Sequence, residues 1–418
     1  MRRLIVLLVL LATACAGDPP RGDDALLPSV NAMVARLERL TGWKAKRPIR
    51  PQRLTREQLR RFLNEQIRRE IRPEELRREE LALKMFGLVP ESFDLRGTMV
   101  DLLTEQAAAF YDYHRKRLFV LEGADDPREQ QITLVHELAH FLADERFSLN
   151  RFMKKDRPTD DAAQARTAVM EGQATWLMWA WAVTQNQPGD EAPELPKWLV
   201  DAARSSASAD QARFPVMAGA PLYLRESMMF PYTQGLTFQE AIYRQQGRAG
   251  LAAVFLRPPV STHQIFHPEA YGEGRVPVKL TLPGAGKPWA RILDGDFGEF
   301  DHRALLATFY DANTAARVGP GWRGGAFSLY EAPRGGVMLI YASEWESPEA
   351  AATFLTLYRG VLEKKLPKMK MTQETGDRFV GVDGNEGVEL WRDGARVFSR
   401  ERRPTAWRRA NAERGKVD

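Results

Sequence analysis

Apolar residues three and four positions apart dominate roughly the first two-thirds of the chain, and alternating patterns take over near its end. Val30, Met33, Val34 and Leu37 repeat at helical spacing. Thr55-Arg56-Glu57-Gln58 has the form of a capping box and opens a helix through Ile67; Pro73 opens another to about Met85. A short helix near Thr98 to Glu105 follows. Ala107 to Leu121 changes period: two strand-like runs flank a turn around Tyr113 to Arg115, a β-hairpin. Asp126 as N-cap, Pro127 at the first helical position and Glu129 completing a capping box mark the next helix. Its Leu134, Val135, Leu138, Phe141 and Leu142 make it apolar nearly all round, as a buried central helix must be.

Ala165 to Thr175 reads as a second helix with small residues around one carboxylate, Glu171. Ala168, Gly172 and Thr175 form a slim face that lets it lie close to the helix before it. Trp176, Leu177, Met178, Trp179 and Trp181 continue as an aromatic-rich segment too short to cross a membrane, packed in the core or, as the alternative, forming a wall of the substrate cleft. Gln185 to Pro196 is a loop, and Leu199 to Ala249 is mostly helical with breaks at Pro215, Pro221 and Pro231. From about Asp296 the texture changes. A helix near Asp301 to Ala315 and the turn Gly319-Pro320-Gly321-Trp322 come first. Strands follow at Ala326 to Tyr330 and Val337 to Ala342, and Ser347-Pro348-Glu349 caps a helix to about Lys364. Strands near Phe379 to Val382, Val388 to Trp391 and Ala395 to Ser399 complete the unit. The predicted class is α+β: a mainly helical domain with a small sheet over 29–295, then a small α+β domain with an antiparallel sheet over 296–400.

Three polar residues break the apolar segment from Ile132 to Ala143, and they are His136, Glu137 and His140. Buried polar groups need partners. Histidines at i and i+4 stack on one helix face, so both imidazoles reach one metal ion. The glutamate after the first turns to the same open side, where it can take a proton from a water that the metal activates. A catalytic zinc wants three protein ligands and one open position. A glycine three residues and a histidine six residues past His140 would supply the third, but Ala143 and Arg146 stand there. Glu171, about thirty residues on, is the carboxylate placed to complete the set from an antiparallel neighbour. The expected cofactor is one Zn²⁺ held by His136, His140 and Glu171.

With these residues the chain resembles the gluzincin branch of the zincin metallopeptidases. More narrowly it is similar to a family of secreted or lipid-anchored bacterial and archaeal proteins with three elements. These are H-E-x-x-H (His136 to His140), E-G-x-A-T (Glu171 to Thr175) and S-T-x-Q-x-x-H-P (Ser261 to Pro268). The resemblance runs from about Gly42 to Trp391. It implies a zincin-like metallopeptidase domain, a polypeptide substrate, and a sheet-edge strand before the metal helix on which an extended substrate lies. It also implies a late histidine or tyrosine that stabilises the oxyanion. His267 matches the family's histidine and is the candidate, with Tyr232, His263 and Tyr271 nearby in sequence; a histidine holding a buried turn before Pro268 is the alternative. His114 and His302 look like surface residues. Gln173 stands where the family pattern expects an acid, so Asp144, Asp160 and Asp161 become the candidates for orienting the ligand histidines.

Composition adds the compartment. Arg2 and Arg3, the apolar run Leu4 to Leu11 and Ala12-Thr13-Ala14 form an export signal over 1–14. The lone cysteine of the 418 residues, Cys15, follows at once, which suits lipidation and a membrane-anchored protein of the bacterial cell envelope; a soluble secreted form is the alternative. Residues 15–28 read as a tether and 401–418 as a basic tail. The formal charge of +5 falls to about +3 without the signal, too little to argue for nucleic acid. The expected activity is zinc-dependent peptide-bond hydrolysis with Glu137 as general base. A non-catalytic envelope binding or assembly factor on the same scaffold is the competing reading.

Overall fold

The computed structural model describes residues 26–122, 127–156, 158–185, 189, 191–209, 214–333, 335–383 and 386–403. The export signal, Cys15, the N-cap at Asp126 and the basic tail from 404 on lie outside the described residues. Among those residues no helix is long and apolar enough to cross a membrane.

The fold is α+β, with a mainly helical N-terminal region around a three-stranded sheet and a C-terminal domain on a seven-stranded antiparallel sheet. In the small sheet, β1 (Pro51–Leu54), β2 (Ala109–Asp112) and β3 (Arg117–Leu121) take the order β1-β3-β2. β2 and β3 are the expected hairpin, and β1 joins β3 in parallel. This corrects the expected edge. The strand directly before the metal helix, β3, is central, and β2 is the edge strand on that side.

Three long helices form the body of the N-terminal region. The motif helix, Pro127–Phe147, buries Leu134, Val135, Leu138, Phe141 and Leu142. The glutamate helix, Asp160–Val183, starts on the Thr159 cap and is buried along nearly its whole length, Trp176 and Trp181 included. The third, Leu222–Gln246, runs straight through Pro231, which the sequence reading took for a break. The slim face of the glutamate helix serves this third helix. A Cβ on Gly172 would stand 2.1 Å from the Gly235 carbonyl carbon, and one on Gly235 would stand 2.2 Å from the Ala168 oxygen. Glycine in a helix interior costs about 1 kcal/mol relative to alanine, and here it admits backbone-to-backbone contact.

The C-terminal sheet begins earlier than the expected boundary. β4 (Ala290–Asp296) pairs with β5 (Trp322–Glu331), followed in sheet order by β6 (Val337–Trp345), β10 (Arg396–Arg403), β9 (Glu386–Asp393), β8 (Arg378–Asp383) and β7 (Lys370–Thr375). The helix Pro348–Lys365 covers one face through Phe354 and Tyr358, which stack with Trp345 and Tyr341. His302 also corrects the sequence reading. It is fully buried, bonded to the Gly298 carbonyl oxygen and the Tyr341 hydroxyl, and burial lowers its pKa to about 4.

The two regions meet over buried carboxylates. The backbone N–H groups of Asp160 and Asp161 donate to Asp296; Asp161 accepts from the Thr262 backbone and hydroxyl; Asp301 accepts from the Tyr223 hydroxyl and the Gly298 N–H. Burial raises the pKa of Asp161, Asp296 and Asp301, the last to about 7, against those hydrogen bonds. A carboxyl whose folded pKa lies above its unfolded value holds a proton that the unfolded chain gives up. Its stabilisation is therefore complete at low pH and is lost as pH rises through the folded value. The lowered carboxylates Glu171 and Glu299 give nothing in this window, since their contribution is already complete above the ordinary carboxylate range. His302, lowered to about 4, adds stability as pH rises toward its unfolded value and offsets part of this loss. We expect the thermal midpoint to fall on balance between about pH 5 and about pH 7.5, and the fall to shrink in Asp301→Asn. Calorimetry at the two pH values checks it; equal slopes in both proteins would remove Asp301 as the cause.

Candidate metal centre

His136 and His140 project from consecutive turns of the motif helix with ring centroids 4.7 Å apart and planes at 85°. Their Nε2 atoms are 3.1 Å apart, and the Glu171 Oε2 lies 3.1 Å from the first and 3.2 Å from the second. The three side chains are buried, at 9 %, 7 % and 8 % exposure, so little water competes for their lone pairs. A tetrahedral ion with bonds of about 2.1 Å holds its ligand atoms about 3.4 Å apart, so this near-equilateral triangle has the right size. Two imidazoles and one carboxylate are also the donor set that zinc prefers, with one position left open. Burial opposes the Glu171 charge, yet His140 and His136 hold its carboxyl well below the usual range. The sequence-predicted trio is thus brought together, and its donors fit a zinc ion.

Glu137 faces the same space. Its Oε2 accepts a 2.7 Å hydrogen bond from the Tyr111 backbone N–H on β2. Burial, helped by the Glu171 charge, pushes its pKa up to about 7, against the pull of His136 and the Tyr111 N–H. Tyr111 fixes β2 to the motif helix a second time, its hydroxyl donating at 2.8 Å to Asp144, which also holds Lys116 and the Leu149 N–H. Asp144 and Asp161 are therefore committed to scaffolding and do not orient the ligand histidines. Gln173, two residues past Glu171 and so on the opposite side of the glutamate helix, donates to the Leu251 carbonyl at 2.6 Å.

Tyr232 is the residue that sequence reasoning named but did not choose. Its ring lies 5.8 Å from that of His136 on the third helix, one turn before Gly235. The residue keeps 39 % exposure, while its hydroxyl end is enclosed beside Glu171 and Glu137. Enclosure and the two carboxylates push its pKa well above the usual tyrosine value. The phenol is therefore a neutral donor pointing into the centre. No local pattern marks it, because the Gly172–Gly235 crossing that aims it is a contact between distant segments.

His267 is not part of this cluster. It joins His263 and Glu299 in a second trio of metal-ligand type. Glu299, wholly buried, accepts from His263 Nδ1 at 2.5 Å and His267 Nε2 at 3.1 Å, and Arg303 places two N–H groups 2.6 Å from its other oxygen. Burial opposes the Glu299 charge, but these partners hold its pKa down at about 2. A guanidinium already answers this carboxylate, and a 2.5 Å edge is a charge-assisted hydrogen bond rather than two ligands of one ion. The rest of the third motif behaves alike: Thr262 binds Asp161, and Gln264 bridges the Val260 N–H and the Arg275 carbonyl. The motif is a clasp between the glutamate helix and the C-terminal domain, with His267 half-buried in it.

Residues 98–214 match a peptidase family model, Peptidase M78, described as the IrrE N-terminal-like domain; the matched stretch carries His136, Glu137, His140 and Glu171. Residues 290–410 match a domain of unknown function, DUF8575, which covers the seven-stranded sheet. Searches of curated proteins and of solved structures gave no match. The chain therefore carries an IrrE/M78-peptidase-like domain whose His/His/Glu cluster is built to hold a metal.

Proposed function

We propose that this protein is a zinc-dependent peptidase of the gluzincin type that cleaves polypeptides in the cell envelope, held to the membrane by a lipid on Cys15. The observation that carries the reading is the 3.1–3.2 Å triangle of His136, His140 and Glu171 with Glu137 beside its open side. Zinc in such a site supplies a Lewis acid that makes water nucleophilic near neutral pH and polarises an amide carbonyl. Glu137 takes the proton of the attacking water and returns it to the departing amine, and the Tyr111 N–H keeps its carboxylate aimed. The Tyr232 hydroxyl donates to the carbonyl oxygen as negative charge grows there, the part first given to His267.

β2 supports the substrate's backbone. The Leu121 N–H donates to the Ala108 oxygen, so the hydrogen-bonding groups of Ala108 and Phe110 face β3 and those of Ala109 and Tyr111 face outward. Tyr111 spends its N–H on Glu137, leaving the Ala109 groups for an added strand. That pairing is indifferent to side chains and suits a protease.

Digestion of an unfolded protein such as casein tests the reading: cleavage that a chelator abolishes and zinc restores supports it, and chelator-resistant cleavage counts against it. Tyr232→Phe removes one oxyanion donor without touching a metal ligand. We expect kcat to fall by about 10²–10³ with metal content unchanged, measured by steady-state kinetics beside elemental analysis. An unchanged kcat would return the oxyanion role to another group.

A further inference from the structure

Two chain segments that follow the third helix carry four exposed aliphatic side chains. Leu256, the last residue of the helix Arg248–Leu256, and Val260 belong to the first segment; Val276 and Val278 belong to the second. Leu256 and Val276 are 69 % and 70 % exposed, and Val260 and Val278 are exposed as well. Residues between the segments fasten them side by side. Gln264 accepts from the Val260 N–H at 2.8 Å and donates to the Arg275 carbonyl at 2.6 Å, so one amide ties the two backbones together. The Tyr271 hydroxyl adds a second tie, donating to the Arg257 carbonyl at 2.7 Å, and the Val278 N–H donates to the Arg323 carbonyl at 2.8 Å. A single exposed aliphatic side chain is ordinary, but four on segments joined in this way form a patch.

The charges around the patch leave a positive excess. Glu273 is answered by Arg275 at 2.6 Å, Glu269 lies 3.5 Å from His267, and Arg323 is paired with Glu346. Arg257 and Lys279 are exposed, and among the described residues no ion pair reaches either; the Arg257 guanidinium lies 4.7 Å over the Tyr271 ring. Side chains this exposed protrude rather than line a groove, whereas the centres of protein–protein contacts are built on aromatic and arginine anchors seated in pockets. Short aliphatic tips beside unpaired cations fit the boundary between lipid headgroups and acyl chains, where the tips leave water and the cations meet anionic headgroups.

We propose that this patch rests on a lipid bilayer, with Leu256, Val260, Val276 and Val278 in the headgroup–acyl boundary and Arg257 and Lys279 against anionic headgroups. The inference goes beyond the peptidase reading and does not depend on the metal centre. A lipid on Cys15 holds the protein by one point; the patch decides which side of its body faces the membrane.

The test uses Cys15→Ser protein, exported and processed, so that no acyl chain contributes. Flotation with vesicles of phosphatidylethanolamine and phosphatidylglycerol should carry this protein upward, and neutral phosphatidylcholine vesicles should bind it at least about tenfold more weakly. Adding Leu256→Asp with Val276→Asp should weaken binding to the anionic vesicles by at least about tenfold. Adding Arg257→Gln with Lys279→Gln should weaken it by about tenfold or more, and leave binding to the neutral vesicles unchanged. All four positions are exposed, and thermal midpoints confirm that each variant is folded. Cys15→Ser protein that stays with the soluble fraction, or aspartate variants that float as well as their parent, overturn the proposal. So does a dimer in sedimentation equilibrium that the aspartate variants abolish, which would assign the patch to a second copy of the chain. None of these results bears on zinc binding or on peptide cleavage.

Discussion

Glu137→Gln should leave the zinc bound and lower peptide cleavage by about 10³–10⁴-fold. The two side chains have the same shape, and an amide oxygen still accepts from the Tyr111 N–H, so β2 and the motif helix keep their register. The triangle of His136, His140 and Glu171 is untouched. What disappears is a base: a carboxamide cannot take a proton from water near neutral pH. The loss should fall on kcat, with KM little changed, because the substrate's backbone and side-chain contacts do not involve this group. Glu137→Asp keeps the base but draws it back by one methylene, and should retain intermediate activity. Steady-state kinetics with elemental analysis of the same samples decides the matter. Activity within tenfold of wild type in Glu137→Gln would leave the metal site standing and remove the general base.

Gly172→Ala is the second large expectation, and it acts through packing. A single methyl at this position would lie 2.1 Å from the Gly235 carbonyl carbon, a backbone atom that cannot rotate away. The two helices must part by more than an ångström, at a cost of about 3 kcal/mol. Glu171 is the adjacent residue on one helix, and Tyr232 lies one turn from Gly235 on the other, so the same shift displaces a metal ligand and the oxyanion donor together. Misplacement on this scale costs about 10² in rate even where the chemistry is intact. We therefore expect a folded, less stable protein with weaker zinc binding and activity down by at least about 10²-fold. Denaturant unfolding and zinc titration measure the two effects. A variant as stable as wild type would mean that the crossing is looser than described.

The site was legible wherever its logic is local. His136, Glu137 and His140 sit within two turns of one helix, and an i, i+4 pair of histidines in an apolar run needs a reason to exist. Glu171 was legible because small residues surround a lone carboxylate on an otherwise apolar helix. The packing partner of those small residues was not, since Ala168 and Gly172 fit either neighbouring helix and only the fold chooses the one carrying Gly235. Tyr232 was lost for the same reason, and Pro231 next to it read as a break although the helix absorbs it. β1 was missed because Pro51 to Leu54 has little β-forming character and is a strand only through parallel pairing with β3, more than sixty residues away. That omission also misplaced the sheet edge, which moved from β3 to β2. His267 went astray because a motif shared with a family signals importance without saying of what kind: here Ser261 to Pro268 joins two domains through Asp161 and Glu299.

The central claim is that one divalent ion is held by three named side chains from two helices. Zinc titration of apo protein, followed by calorimetry, tests it in the wild type, Glu171→Ala and Glu299→Gln side by side. The account predicts one tight zinc per chain in the wild type and in Glu299→Gln, and binding weakened by at least about 10²-fold in Glu171→Ala. Zinc bound by Glu171→Ala as tightly as by the wild type, or lost in Glu299→Gln instead, would contradict it.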